Sequence, residues 1–546
     1  MPRRRHWFFG LAAGLMVSMT LAACGGAGAG TGAATTSASA AATATAATQS
    51  TTVATSNTLS GAFDEGPGGC PECFNPLTAT AGFTWLEEYY QPLVLYDVNF
   101  QKIQGVLATS WSVSQNGLAY TFHLRKGVQW QDGKPFTSAD VKFTIGLVQN
   151  PASASWIASY FTDVTGVTTP NADTAVIHLK SPDAALLSAL TFLVMLPQHA
   201  LSSIPPAQLV KSSWWRTDPI GTGPFKWEKY VPSQYVELAA NPTYWGGKPK
   251  LAHLIDRYYK QSGAAVLALQ SGQIQFTYIN PDVVSTLKSN PNIQILSGPS
   301  QVINYLGFNL HSPLWKDVRV REAVMYAINR QQIVQKLFNN GAVTVSCPYN
   351  NPQYIPQNLN TYPYDPAKAK QLLKAAGWSQ TQPIQTLTYY TDQLSTNVLT
   401  TMQQMLGAVG INITPRAVDV PTYRSILGTG KWSLMYAGAA NGPDPSVVST
   451  YFTSNAQPPA GANYYGLNNS TVDHLFAEGL SAGQSQRAGV YQQVCTALNQ
   501  QLPWAPLWVT TRYGAVSTAV KGFIWTPSPG GGHYVQDAQN WSLAAK

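Results

Sequence analysis

Two of the five cysteines stand as Cys70-Pro71-Glu72-Cys73. That spacing suits a redox pair or half of a metal site, because two thiolates so placed can close on each other or share one ion. No second pair has this spacing, and the eight histidines are dispersed. A structural disulfide, thiols paired elsewhere, and redox or metal chemistry all stay open for the pair. Cys347 and Cys495 form a candidate second bridge. Cys24 carries a different chemistry. It follows Leu21-Ala22-Ala23 and precedes Gly25-Gly26, behind Arg3, Arg4 and Arg5 and the uncharged run from Trp7 to Ala23. A thiol in that setting is the nucleophile that accepts diacylglycerol in a bacterial lipoprotein signal. With Cys24 lipidated, four cysteines are left, an even number that suits disulfides outside the cell. A hydrolase would need a nucleophile with a positioned base, or a metal cluster. The sequence holds no Gly-x-Ser-x-Gly elbow, no His-Glu-x-x-His and no carboxylate pair that can be assigned to one site.

The elements around these residues divide the chain. Residues 1–24 form the signal and lipobox. Residues 25–57 are almost entirely Ala, Thr, Gly and Ser, too poor in large apolar groups to offset chain entropy, and read as a disordered tether. No later run is long and apolar enough for a membrane span. The formal charge is +8. The signal holds three of the arginines and no acid, which leaves +5 for the mature chain. Its basic residues are scattered without interleaved aromatics, so nucleic-acid binding is not expected. At 546 residues the chain needs more than one core.

From Thr58 onward strands and helices alternate irregularly, which predicts a mixed α/β fold. Tyr120, Phe122 and Leu124 share one face of a half-buried strand, with Thr121, His123 and Arg125 on the other. Asp132-Gly133 makes a turn, and Thr137 with Asp140 forms a capping box flanked by Phe136 and Val141. Asp365-Pro366 opens a helix that Gly377 closes, with an apolar stripe of Ala369, Leu372, Leu373 and Ala376. A second stripe, from Val320 to Ile328, is interrupted at Asn329 and resumes from Ile333 to Phe338. That predicts two short helices rather than one long one.

Several segments together resemble one family. They are Leu107-Ala-Thr-Ser-Trp111, Tyr120 to Gly127, Asp132 to Val141, Pro219-Ile-Gly-Thr-Gly-Pro-Phe225, Asn241 to Pro249, Tyr305-Leu-Gly-Phe-Asn309, Val318 to Val324, Ala327 to Arg330 and Gly442-Pro-Asp-Pro445. In order and spacing they are similar to the bacterial extracellular solute-binding proteins of family 5, which include the oligopeptide-, dipeptide- and nickel-binding components of ABC importers. The likeness runs from about residue 58 to the end. It implies a two-lobed periplasmic-binding-protein-like fold of type II with an additional small domain and a ligand cleft between the lobes. Lobe I would comprise residues 58–100, 218–308 and 506–546, the small domain 101–217, and lobe II 309–505. The chain would cross between lobes near 308 and 505, where a hinge is expected.

The resemblance also implies a mechanism: two lobes close on a solute, and a membrane permease with its ATPase takes it over. In the peptide-binding members an Asp three residues before the Asp-Pro pair anchors the ligand's free amine. The matching residue here is Asn441, ahead of Asp444-Pro445. Asn can hydrogen-bond an amine without neutralising it. Asp444 either substitutes for that anchor or organises the turn with Pro445. The small residues Gly438 and Ala440 lie on a strand that either pairs with an extended ligand or belongs to the core. Trp85, Trp156 and Trp508 fall near segments that line the cleft, where their faces could stack on a ligand or pack in the interior. The expected protein is thus a monomeric, lipid-anchored, extracytoplasmic binding protein with no cofactor and no resident metal, and not an enzyme. Its solute is an oligopeptide, an oligosaccharide or a metal chelate. A sensor or adhesin with the same cleft, and a secreted hydrolase, are the other classes.

Overall fold

A computed structural model describes residues 57–63, 74–78, 86–440, 442–458, 461–527 and 535–544. The signal, Cys24, the tether, and the Cys70–Cys73 pair therefore lie outside the described residues, as do Trp85 and Asn441. Among the described residues an eleven-stranded mixed sheet runs through the molecule. Its strands are numbered in chain order: β1 Thr58–Ala62, β2 Phe225–Val231, β3 Tyr235–Ala240, β4 His253–Arg257, β5 Phe276–Ile279, β6 Ile293–Phe308, β7 Ala342–Thr344, β8 Ile384–Thr388, β9 Ile413–Ala417, β10 Leu434–Ala440 and β11 Trp504–Ser517. The spatial order is β9-β8-β10-β6-β11-β5-β1-β4-β3-β2, with β7 on β11. β1 is parallel to β4 and β5, and β8 is parallel to β9 and β10, whereas β6 is antiparallel to both β10 and β11.

The apolar residues gather into separate cores. One holds Leu59, Tyr89, Phe122, Trp130, Ile177, Phe225 and Trp541, and a small neighbour holds Leu269, Ile274, Leu287 and Ala515. These define a first lobe. Two others, with Leu306, Val324, Leu373, Leu434 and Trp508 in one and Tyr305, Met435, Tyr465, Tyr491 and Trp504 in the other, define a second. A four-stranded antiparallel sheet stands apart from the large one. It runs Ala108–Val113, Ala119–Leu124, Thr174–Leu179, Val164–Asn171 and packs into the first core. Two lobes with a small appended sheet make the fold class predicted from the sequence.

Local rules explain the pieces that position the cleft. Tyr120, Phe122 and Leu124 are buried while His123 is exposed, as alternation on a half-buried strand requires. Both bonds of the Thr137–Asp140 capping box are present at the start of helix Ser138–Gln149. Asp365 caps helix Pro366–Ala375 through the Lys368 N–H, and Gly377 takes a φ of 69° just beyond it. Asn329 does end one helix (Val318–Ala327) and cap the next (Arg330–Leu337). The Gly-Thr-Gly motif has a steric cause. Gly223 N–H donates to the Tyr89 carbonyl at 3.0 Å, and a Cβ on Gly221 would overlap that same carbonyl. Only glycine lets these two backbones approach so closely. Cys347 and Cys495, which are 148 residues apart, are joined by a disulfide in the second lobe.

Candidate functional site

Two long strands carry the sheet from one lobe to the other. The first half of β6 pairs with Arg512–Ser517, and its second half, from Ile303, pairs with Trp504–Val509. The register shifts between Pro299 and Ile303. Proline supplies no N–H for the ladder, so a break is natural there. Side-chain bonds occupy the gap instead. Ser300 Oγ lies 3.3 Å from Thr510 Oγ1 and accepts the Val302 N–H, and Asn350 Nδ2 donates to the Ser300 carbonyl at 3.2 Å. The pairing is therefore interrupted at Pro299–Ile303, opposite Val509–Thr511. Phe308 and Ala505, further along the same two strands, are fully buried in the second core.

Cavities open around this crossing. One of about 360 Å³ is lined by Tyr278 and Asn280 of the first lobe, Phe338 and Leu394 of the second, and Thr510–Tyr513 of the crossing strand. An adjoining one of about 300 Å³ shares Phe338, Leu394, Thr510 and Arg512, and adds Asn304, Tyr390 and Asp392. A third, of about 700 Å³, lies between the small sheet and the second lobe. Its walls include Tyr96, Trp111, Tyr120 and Asn116 on one side and Asn351 and Tyr354 on the other. These volumes are of the size that small-molecule pockets occupy. The two sides also touch directly, because the Ala184 N–H donates to the Leu480 carbonyl at 2.8 Å.

The sequence-derived candidates fall into distinct settings. Gly438 and Ala440 lie on β10, opposite Asn304 and Val302 of β6. On the other edge β8 follows β10 only to Met435. Beyond that point Tyr389 takes over: its hydroxyl accepts the Gly438 N–H at 3.1 Å and donates to the Gly438 carbonyl at 3.0 Å. An extended ligand pairing at Gly438 would have to displace that hydroxyl. Tyr390 extends the chain, with its hydroxyl 3.4 Å from Tyr389 Oη and 3.4 Å from Asn304 Oδ1. Burial pushes the Tyr390 hydroxyl's pKa well up, so it stays a neutral donor and acceptor.

Asp444 sits just past the end of β10 and caps the turn Pro445–Val448. It accepts from Ser446 N–H and Oγ, and both oxygens receive Arg487, each at 2.7 Å. The two side chains are only 4% and 3% exposed. Burial alone would raise the carboxyl's pKa, but the Arg487 guanidinium and the Ser446 donors outweigh it and hold Asp444 below the usual carboxylate range. Its capacity is thus used within the second lobe, where it fixes the turn beside position 441. Trp508 is completely buried between Phe338 and Tyr436, with ring centroids at 5.4 and 6.3 Å. Core packing takes up its faces. Trp156 is half-buried, packs edge-on to Phe192, and donates its backbone N–H to the Leu77 carbonyl. The structure brings Gly438, Ala440 and Asp444 to one strand end and leaves Trp156 and Trp508 in separate packing environments.

Three residues at this site carried no local sequence signal. Arg487 is 43 positions from Asp444 on helix Gln484–Gln501. Tyr389 follows β8, and its role appears only where β8 and β10 diverge. Arg512 lies on the crossing strand with its guanidinium 4.2 Å from the Tyr278 ring centroid. Among the described residues no three of His, Cys, Asp and Glu gather as metal ligands, and no helix is long and apolar enough to cross a membrane.

Two lobes joined by crossing strands, with cavities between them, define a solute-binding architecture. Residues 102–459 match the middle region of the bacterial extracellular solute-binding proteins, family 5, and the chain belongs to that family. A Brucella melitensis protein provisionally named an ABC transporter peptide-binding protein is 47% identical over 497 residues, which cover 89% of this chain and 94% of that one. The glutathione-binding protein GsiB of Escherichia coli is 29% identical over 455 residues, 81% of this chain and 88% of its own. The crystal structure of CtaP, an ABC transporter substrate-binding protein of Listeria monocytogenes, superposes with a TM-score of 0.81 at 25% identity, covering 90% of this chain and 99% of that one.

Proposed function

We propose that this chain is the substrate-binding component of an ABC importer that takes up a peptide-like solute without altering it chemically. The observation that carries the reading is the crossing itself. The sheet passes between lobes on two strands whose pairing breaks at Pro299–Ile303, and cavities open on both sides of that break. A solute touching both lobes stabilises the closed form by its differential affinity for the two states. The permease and ATPase would receive the closed shape. The Brucella relative, named for peptide binding, supports a peptide-like solute. In this reading the lobes divide at residues 58–100, 218–308 and 506–546 against 309–505, with 101–217 as the small domain. Trp85, Trp156, Gly438, Ala440 and Asn441 face or border the solute, while Asp444 and Trp508 hold the wall behind them. Cys24 carries the lipid that anchors the monomer outside the membrane.

One observation favours a second solute class. The cavity of about 700 Å³ combines Tyr96, Trp111, Tyr120 and Tyr354 with side-chain amides, a lining that suits an oligosaccharide as well as a peptide. A thermal-shift panel of the mature protein against tripeptides, cello-oligosaccharides and metal chelates decides between them. A ligand at 100 times its Kd adds about 2.7 kcal/mol of stability. Asn441→Ala should weaken binding of the hit without lowering the melting point of the free protein. Turnover of a panel compound, with no shift from any of them, would replace the transport reading with an enzymatic one.

A further inference from the structure

Strand β10 has one covered edge and one that its neighbour abandons. β6 pairs with it along its whole length, from Leu434 to Ala440. On the other side β8 pairs only with Leu434 and Met435. The chain then leaves the sheet: Thr388 Oγ1 accepts the Tyr390 N–H at 3.1 Å, a local bond that competes with continued strand pairing. Past Met435 no strand pairs with this edge among the described residues. An uncovered strand edge is a template for another extended chain. A ligand strand laid along it would meet Gly438 and, two residues on, Ala440.

At Gly438 a side chain stands in for the missing strand. Tyr389 Oη accepts the Gly438 N–H at 3.1 Å and donates to the Gly438 carbonyl at 3.0 Å. One residue of an antiparallel strand exchanges the same two bonds with its partner. The Tyr389 ring packs edge-on to Tyr423, with centroids 5.0 Å apart, and its centroid lies 4.5 Å from that of Tyr390. Tyr390 closes the space over Gly438, where a Cβ would overlap its hydroxyl. Gly438 and Tyr389 are both half-buried, so this pair of bonds lies at the border of the interior rather than deep within it.

Resting on the reading of the chain as a binder of peptide-like solutes, we propose that Tyr389 is a specificity-determining residue whose hydroxyl competes with the solute's backbone for Gly438. A peptide that pairs there must first free the Gly438 N–H and carbonyl, and it then regains only the two bonds it displaced. Backbone pairing at Gly438 thus adds little net affinity. Selection among solutes falls instead to side chains and shape elsewhere in the cleft. The sign of this effect is diagnostic. A hydroxyl that touched the solute would strengthen binding, whereas a competing hydroxyl weakens it.

The test titrates the mature protein calorimetrically with two probes: trialanine, and trialanine methylated on both peptide nitrogens. The second keeps both terminal charges but has no peptide N–H to donate to the Gly438 carbonyl. Tyr389→Phe removes the competing hydroxyl and keeps the ring. It should tighten trialanine binding about five- to thirtyfold, the net worth of two backbone bonds, and tighten the methylated probe by less than about threefold. Tyr389→Ala, which clears the ring as well, should tighten trialanine at least as much. Tyr423→Phe removes a neighbouring hydroxyl, bonded to Met435 Sδ at 3.0 Å, and should leave both affinities within about twofold of wild type. Melting points of the free variants show whether each one folds as the wild type does. Unchanged or weaker trialanine binding in Tyr389→Phe overturns the proposal while leaving the solute-binding reading intact. An equal gain for both probes overturns it too, because that marks a general loosening of the cleft. If neither probe binds the wild type or any variant, the proposal and the peptide-like reading fall together.

Discussion

Replacing Asp444 by asparagine should be among the most destabilising single-atom changes available in the second lobe. The wild-type carboxylate meets Arg487 through two bonds of 2.7 Å, with both side chains almost fully enclosed. Asparagine keeps the shape and one acceptor but leaves the guanidinium charge buried without a counter-charge. Removing one partner of such a pair costs about 3–5 kcal/mol. Because the amide oxygen still receives one donor, the lower end of that range, about 3 kcal/mol, applies. The pair Asp444→Leu with Arg487→Met removes both charges and should recover most of the loss, since apolar replacement of a whole buried pair is close to neutral. The assay is native-state hydrogen exchange at the amides of helix Gln484–Gln501, which reads opening of the second lobe without assuming that the whole chain unfolds at once. Burial excludes salt, so the loss should persist at 1 M sodium chloride. Its pH dependence has a fixed sign. Asp444 has a depressed native pKa, so its stabilisation is present above the unfolded value, near 3.9, and is lost as pH falls through the lower native value. The gap between wild type and variant should therefore be constant from pH 5 to 8 and shrink only in stronger acid. A loss under about 1 kcal/mol, or a double variant as unstable as the single one, would refute the reasoning and return Asp444 to the ligand.

Further expectations concern other parts of the frame. Gly221→Ala should lower stability by at least the ~1–3 kcal/mol of an overpacked core, and a melting curve within 2 °C of wild type would show that the Tyr89 backbone yields. Asp183 is pushed up to about 6, first by burial and then by the nearby Asp444 and Asp163 carboxylates. A raised native pKa means that the folded state holds the extra proton between about pH 4 and 6, so stability falls as pH rises through that window. Asp183→Asn should flatten this slope in denaturation measured from pH 4 to 7.5, and an unchanged slope would show another group to be responsible. Cys347→Ala with Cys495→Ala opens a 148-residue loop and should cost about 4–5 kcal/mol on the chain-entropy account, read as a fall in the urea midpoint that dithiothreitol reproduces in the wild type.

Much of the frame was legible because its causes are local. The capping box at Thr137, the break at Asn329, the Asp365-Pro366 helix start and the alternation from Tyr120 to Leu124 each depend on residues within a few positions of one another. The Gly-Thr-Gly motif was legible as a signature, and the structure supplies its reason in the Tyr89 carbonyl. The site was less legible because its contacts are distant in sequence. Asp444 alone admits two readings, and Arg487, 43 residues on, decides that its charge is neutralised inside the second lobe. Trp508 has an aromatic face suited to stacking, yet Phe338 and Tyr436 enclose it completely. The register break depends on how two long strands pair, which no periodicity in either strand reveals.

The most direct test of the account is the distance between Asn116 beside the small sheet and Gln353 in the second lobe, which both line the cavity of about 700 Å³. Genetically encoded spin labels at these positions leave the native cysteines untouched. The account predicts a broad, long distribution for the mature protein alone. It should collapse to one short distance when the panel compound that raises the melting point is added. Identical distributions with and without that compound would show that the lobes do not shut on a solute.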